Sequence, residues 1–245
     1  MADNDYWNEN DPPMSFIPEG YSYEKRRTFR YETIPYLRTA AHFREFEGKR
    51  VLCVGDGGGL DAAEFARFGA KVSVIDASPK AIALTEKTFA EAGLSLAASV
   101  VGNARQLPFP NESFDAVYCF GVLHHIRDVE VAIAEAHRVL VPRGQYLGMV
   151  YHRDSLLYAY SIIRRGDREG LSPGEAMRAY SERNSGCPWS EAYTREGVEE
   201  MLVAFSSVDV RACYPVIDLP DRRKVCFQME GEDDLGWHLF FLAVK

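Results

Sequence analysis

Val51-Leu52-Cys53-Val54-Gly55-Asp56-Gly57-Gly58-Gly59 decides the fold of this chain. A short apolar run breaks into a glycine cluster. A helical pattern follows at once, with Leu60, Ala63, Phe65, Ala66 and Phe68 closed by Gly69. A buried strand, a tight turn and an amphipathic helix in that order predict the first βα unit of an open α/β sheet. Glycine suits such a turn because a side chain there would keep a ligand off the backbone. The turn also aims the helix N-terminus at that ligand. The spacing of Gly55, Gly57 and Gly59 reads G-x-G-x-G, whereas the dinucleotide fingerprint G-x-G-x-x-G needs a third glycine where Leu60 stands. Taken alone, the cluster also describes a tight turn with no ligand.

Downstream, strand and helix alternate. Val72 to Ile75 is a β-branched strand ending at Asp76. Ser78 and Pro79 open a helix that Gly93 stops. Leu96 to Val101 and Phe114 to Phe120 read as the third and fourth strands, Val129 to Leu140 as a helix, and Gln145 to Val150 as the fifth strand. Val208 to Cys213 and Trp237 to Val244 complete the set, the last expected antiparallel. This pattern predicts an α/β fold: a doubly wound, Rossmann-like, seven-stranded sheet with N-terminal helices and an inserted helical lid. Expected divisions are residues 1–47 (arm and cap helices), 48–150 (core), 151–192 (lid) and 193–245 (completion of the sheet). The cap helices, broken near Pro35, are expected to turn Tyr and Arg side chains toward the cleft. Residues 215–235 read as a charged, solvated loop.

The 245 residues are 47% hydrophobic, enough for one packed α/β domain with a cap. No apolar run approaches the roughly 18 residues a membrane span needs, so membrane insertion is not expected. The polar start Met1-Ala2-Asp3-Asn4-Asp5 lacks a signal-peptide pattern. Five cysteines without C-x-x-C spacing suggest a reduced, cytoplasmic setting and no metal site. A net charge of −8 disfavours a nucleic-acid partner and leaves a small molecule as the expected one. Tyr6 and Trp7 stand in an otherwise hydrophilic start. They fit either a disordered tail or an arm folding over the cleft or a second subunit of a homodimer.

Asp76, at a strand tip, can accept hydrogen bonds from both hydroxyls of a ribose, or merely cap the next helix. Asn103 ends the third strand, where its oxygen can accept from an adenine amino group. With Gly102-Asn103-Ala104-Arg105-Gln106-Leu107-Pro108-Phe109, Phe114-Asp115-Ala116-Val117, Gly121-Val122-Leu123-His124-His125-Ile126 and Arg138 to Gln145, these residues carry a resemblance. The chain over about residues 48–150 resembles the class I S-adenosylmethionine (SAM)-dependent methyltransferases, in the type-11 (menaquinone/ubiquinone-methyltransferase-like) branch.

The resemblance implies methyl transfer from SAM, with S-adenosylhomocysteine as product. It implies that Gly55, Asp56, Gly57 and Gly59 wrap the methionine and ribose portions and that Asp76 holds the ribose diol. Ala77, Asn103 and Ala104 would line the adenine, and Phe120 would offer backbone at the methionine end. Two positions depart from the family pattern. Cys53 stands where an acid usually helps fix the cofactor's amino group, and Asn103 stands where Asp is usual.

In-line attack on the methyl group needs alignment, water exclusion and, for a protonated nucleophile, a base. His124, His125, Tyr151 and His152 are the candidate bases. His152 is preferred with Asp154 as orienting partner, the alternative being that Asp154 caps a helix. His124, Tyr21, Tyr23, Trp189 and Tyr193 are candidates for substrate contact, or for ordinary packing between cap and sheet. Rival readings are a SAM-binding protein with other chemistry or none, and a nicotinamide-dependent oxidoreductase.

Overall fold

The computed structural model describes residues 6–7, 20–181, 187–218, 224–226 and 234–245. In chain order the elements begin with α1 (Tyr23–Thr33), α2 (Leu37–Ala40), a 3-10 turn (Phe43–Phe46), β1 (Arg50–Val54) and α3 (Leu60–Arg67). Next come β2 (Lys71–Asp76), α4 (Pro79–Ala92), β3 (Ala98–Val101), β4 (Phe114–Phe120), a 3-10 turn (Leu123–His125) and α5 (Val129–Val139). β5 (Leu140–His152), a π-helical turn (Tyr158–Ile163), α6 (Arg164–Glu169), α7 (Pro173–Tyr180), β6 (Ala192–Tyr193) and α8 (Arg195–Met201) follow. The chain closes with β7 (Ser207–Cys213), β8 (Val216–Asp218), β9 (Lys224–Cys226) and β10 (His238–Val244).

The main sheet runs β3-β2-β1-β4-β5-β10-β7, and β6 pairs with β5. β1 is parallel to β2 and β4, whereas β10 is antiparallel to both β5 and β7. The seven expected strands are all present. The two-residue β6 is an eighth, formed where the inserted segment returns beside Tyr151 and His152. Local chemistry sets the helix starts: Ser22 accepts from Lys25 N, Ser78 from Ala81 N and Thr194 from Gly197 N. Ser172 and Glu175 form a reciprocal capping box at α7.

Two stretches differ from expectation. β5 begins at Leu140, ahead of Gln145, because Pro142-Arg143-Gly144 forms an irregularity within the strand. Arg143 takes a left-handed φ of 64°, and the pairing with β4 shifts between Phe114 and Ala116. Within the expected solvated loop, β8 and β9 form an antiparallel pair.

Strand side chains alternate between two cores. Leu52 and Val54 of β1 face a cluster with Val117, Ile133, Val198 and Leu239, under α5 and α8. Val51 and Cys53 face the opposite cluster with Phe65, Val74, Tyr118 and Phe240, under α1 and α3. A third cluster of Leu157, Ile162, Met177 and Trp237 anchors the insertion.

The cap helix differs from its expected role. α1 turns its arginines onto α3 and α4. Arg26 donates to Thr88 Oγ1 (3.0 Å) and pairs with Glu91 (2.6 Å), and Arg27 pairs with Glu64 (2.5 Å).

Candidate active site

All three glycines of the opening motif adopt positive φ: 68° at Gly55, 65° at Gly57 and 77° at Gly59. That backbone is cheap only for glycine. Space forbids a side chain as well: a Cβ on Gly55 would lie 2.4 Å from Val122 Cγ2, and one on Gly59 would lie 2.9 Å from Thr85 Cα. The turn therefore presents bare backbone to a cleft. Gly55 and Gly57 form one wall, Asp76, Ala77 and Ser78 the next, and Gly102, Asn103 and Ala104 the far end. Gly121, Val122, His125 and Ile126 close it from the loop after β4, and the Trp7 ring lies across it.

Asp76 is the central polar group. Its carboxylate accepts from Gly57 N (3.2 Å) and Ser78 N (2.9 Å), bridging the glycine turn to the start of α4. Burial raises its pKa above the usual carboxylate range, against the opposing pull of those backbone N–H groups. Asn103 Oδ1 accepts from Arg105 N (2.9 Å) and so shapes the loop it lines. Asp56 points away from the cleft: its Oδ2 accepts from Ala62 N (3.2 Å) in the first turn of α3. Burial and the nearby Asp61 charge raise the Asp56 pKa well above normal. Asp56 and Gly59 thus build the turn without lining the cleft.

The histidines separate clearly. His125 lines the cleft, and the Trp7 ring packs on it at 4.9 Å. Its Nδ1 lies 3.0 Å from the Trp189 carbonyl and can only donate there, so the neutral ring carries its lone pair on Nε2. His124 is fully buried, stacked on Tyr151 with centroids 3.7 Å apart. Neither of its ring nitrogens has a hydrogen-bond partner among the described residues. Burial, then His125 and His238, hold its pKa well below the usual value, which keeps it neutral. His152 is buried outside the cleft lining, with Nδ1 donating to the Gly236 carbonyl at 2.8 Å.

The aromatic candidates are dispersed. Tyr21 is exposed beside Lys25. Tyr23 is buried in the core under α1. Tyr151 stacks between His124 and Trp237. Trp189 carries Arg127 over its ring at 4.7 Å, and Tyr193 packs against the α5–α8 side of the core.

Three features of the site escaped sequence reading. The Cys187 thiol is buried 3.5 Å from His125 Nδ1 and donates to the Trp189 carbonyl at 3.1 Å. Tyr36 and His238 meet through a 2.9 Å hydrogen bond beside Phe120. The third is Asp61, in the first turn of α3. It accepts from Arg30 Nε (3.1 Å) and Nη2 (2.6 Å), Tyr31 OH (3.1 Å) and Tyr118 OH (2.8 Å). The available signal was the pair of acids Asp61 and Glu64, three residues apart on one face of a helix that is apolar at Leu60, Ala62, Ala63 and Phe65.

Among the described residues no group of His, Cys, Asp and Glu is arranged to hold a metal ion. No helix among them is long and apolar enough to cross a membrane.

Comparison with known proteins accords with this geometry. Residues 52–148 match the model of a methyltransferase domain family. A ubiquinone biosynthesis O-methyltransferase from Methylocella silvestris is 31% identical over 194 residues, covering 71% of this chain and 74% of its own. Another of that name from Paramagnetospirillum magneticum is 34% identical over 131 residues, covering 51% and 52%. The chain spans about half the length of most curated relatives it matches. The solved YcgJ protein of Bacillus subtilis superposes with a TM-score of 0.58 at 17% identity, covering 86% of this chain and 96% of its own, which is a likeness of fold.

SAM is the cofactor of that family. The residues present fit it, since Asp76 offers a ribose diol an acceptor beside a turn in which Gly55 and Gly59 admit no Cβ. The chain belongs to the class I SAM-dependent methyltransferases, in the type-11 family.

Proposed function

We propose that this protein transfers a methyl group from SAM to a hydroxyl of a small-molecule acceptor, with His125 as the base. The carrying observation is Asp76, whose carboxylate faces the cleft across the Gly55–Gly57 turn. Gly55 and Gly57 would take the ribose and methionine portions, and Ala77, Asn103 and Ala104 the adenine. The oxygen acceptor rests on the relatives, which are ubiquinone biosynthesis O-methyltransferases. Bound SAM supplies an electrophilic methyl group on a sulfonium.

The chain's part is positioning, water exclusion and proton removal. His125 accepts the acceptor's proton at Nε2, because the Trp189 carbonyl holds the other ring nitrogen. Trp7, packed on His125 in the cleft, shields that step from water. Free thiols at Cys53, Cys119, Cys187 and Cys213 support a reducing, cytoplasmic setting.

The test is calorimetric titration of wild-type and Asp76→Ala protein with SAM, S-adenosylhomocysteine and NAD. Tight binding of the two sulfur compounds to wild type, at least tenfold weaker in the variant, is expected. Equal binding in both proteins, or a preference for NAD, refutes the reading. His125→Gln should then bind S-adenosylhomocysteine normally while losing turnover.

A further inference from the structure

The proton step at His125 makes no use of a cysteine, yet one stands beside it. Cys187, 2% exposed, lies in the segment by which the insertion returns to the sheet at β6. That segment is laced to the loop after β4, which carries His125. Glu191 N donates to the His124 carbonyl at 3.0 Å. Arg127 lies over the Trp189 ring at 4.7 Å and donates to the Pro188 carbonyl at 3.4 Å. Ser190 Oγ meets Ser181 Oγ at 2.8 Å, which ties the same segment to the end of α7.

Within this lacing the Trp189 carbonyl accepts twice, from His125 Nδ1 at 3.0 Å and from the Cys187 thiol at 3.1 Å. The sulfur also lies 3.5 Å from Nδ1. With its proton on the carbonyl, the sulfur turns lone pairs toward the Nδ1–H, so that hydrogen is shared between oxygen and sulfur. The thiol thus acts on both ends of one hydrogen bond. It holds the carbonyl oxygen in place, and it fills space beside Nδ1 that water would otherwise enter. A bare Nδ1 at this position would meet the carbonyl lone pair to lone pair. His125 lines the cleft while Cys187 and Trp189 do not, so both act through the ring.

We infer that Cys187 is a positioning residue for His125: its thiol fixes the Trp189 carbonyl that holds the ring in the Nδ1–H tautomer, leaving Nε2 bare for the acceptor's proton. The inference rests on the reading of His125 as the base. When Nε2 takes that proton the ring becomes an imidazolium, and its Nδ1–H bond to the carbonyl becomes charge-assisted and stronger. A carbonyl already held in place needs no reorganisation at that moment. The sulfur exchanges neither a proton nor an electron in this role. The inserted segment is thereby part of the base as well as a cover for the sheet edge.

The test reads the His125 ring directly, by nitrogen magnetic resonance of protein carrying isotope-labelled histidine, with S-adenosylhomocysteine bound. The His125→Gln spectrum assigns the signals. Wild type should show Nδ1 protonated, with a proton slow to exchange with water. Cys187→Ala should speed that exchange at least tenfold and bring in the Nε2–H tautomer. Cys187→Ser, which keeps a donor to the carbonyl, should restore the wild-type signals. Calorimetric affinity for S-adenosylhomocysteine should be the same in all three proteins. Should Cys187→Ala not fold, Cys187→Val, which fills the volume without a donor, gives the same reading. A wild-type spectrum in Cys187→Ala, no rescue by serine, or a loss of ligand affinity parallel to the spectral change would overturn the proposal. A wild-type ring bare at Nδ1 would refute instead the reading of His125 as the base.

Discussion

Asp61→Ala should be the most damaging single substitution on the α1 face of the sheet. Asp61 is 2% exposed and accepts four hydrogen bonds. Its removal strands the Arg30 guanidinium, 11% exposed, without a counter-charge. It also orphans the buried hydroxyls of Tyr31 and Tyr118. Burial alone would lower the Arg30 pKa; the Asp61 charge and hydrogen bonds more than offset that and raise it. Breaking a buried pair by deleting one partner costs about 3–5 kcal/mol. For a chain of this size each kcal/mol shifts Tm by roughly 2–4 °C, so a fall of about 6–20 °C is expected. Urea unfolding followed by circular dichroism, at one pH and salt, reads the difference. The double variant Arg30→Met with Asp61→Leu should recover at least half the loss, since apolar groups can replace a buried pair at little cost. A loss under about 1 kcal/mol in Asp61→Ala, or a double variant no better than the single, would show that the network contributes little beyond packing.

The remaining predictions concern the cleft. Gly55→Ala should abolish S-adenosylhomocysteine binding measured by calorimetry, because its Cβ would lie 2.4 Å from Val122 Cγ2 on a backbone with φ of 68°. Affinity for that ligand should fall as pH drops through the raised Asp76 pKa. Here the folded value lies above the unfolded one, so the carboxylate takes up its proton at higher pH than an ordinary Asp. The ionised form that accepts from a diol is then lost as pH falls. Asp76→Asn should flatten that dependence in calorimetry across acidic pH, and a slope unchanged in the variant would assign it elsewhere. At the surface, Asp115 pairs with Arg50 at 3.1 Å in an exposed setting, so Asp115→Ala should cost under about 1 kcal/mol in the same urea assay.

What the sequence made legible was local in origin. Gly55, Gly57 and Gly59 announce a turn because their backbone requirement is written in their own identity. Ser78 and Pro79 announce a helix start for the same reason. Asp76 could be placed because it ends a strand whose direction the turn already gave. The β5 start was misread for a local reason too: Pro142-Arg143-Gly144 has the composition of a turn, and only pairing with β4 makes it part of a strand. The pairs Cys187–His125 and Tyr36–His238 join residues far apart in sequence, so no spacing rule could have found them.

Arg26, Arg27 and Arg30 show the deeper limit. On α1 alone they read as a solvated charged face or as groups reaching a ligand. Their partners Glu91, Glu64 and Asp61 lie on two other helices, and each carboxylate alone also passes for surface charge. Only the docking of α1 decides between these readings, because buried ions are tolerated only where opposite charges meet. The same docking carries structure toward the cleft. Thr88 accepts from Arg26 and donates to the Gly58 carbonyl at 2.7 Å, so the cap helix grips the glycine turn itself. The cap expected from the sequence is thereby a brace for the cofactor turn.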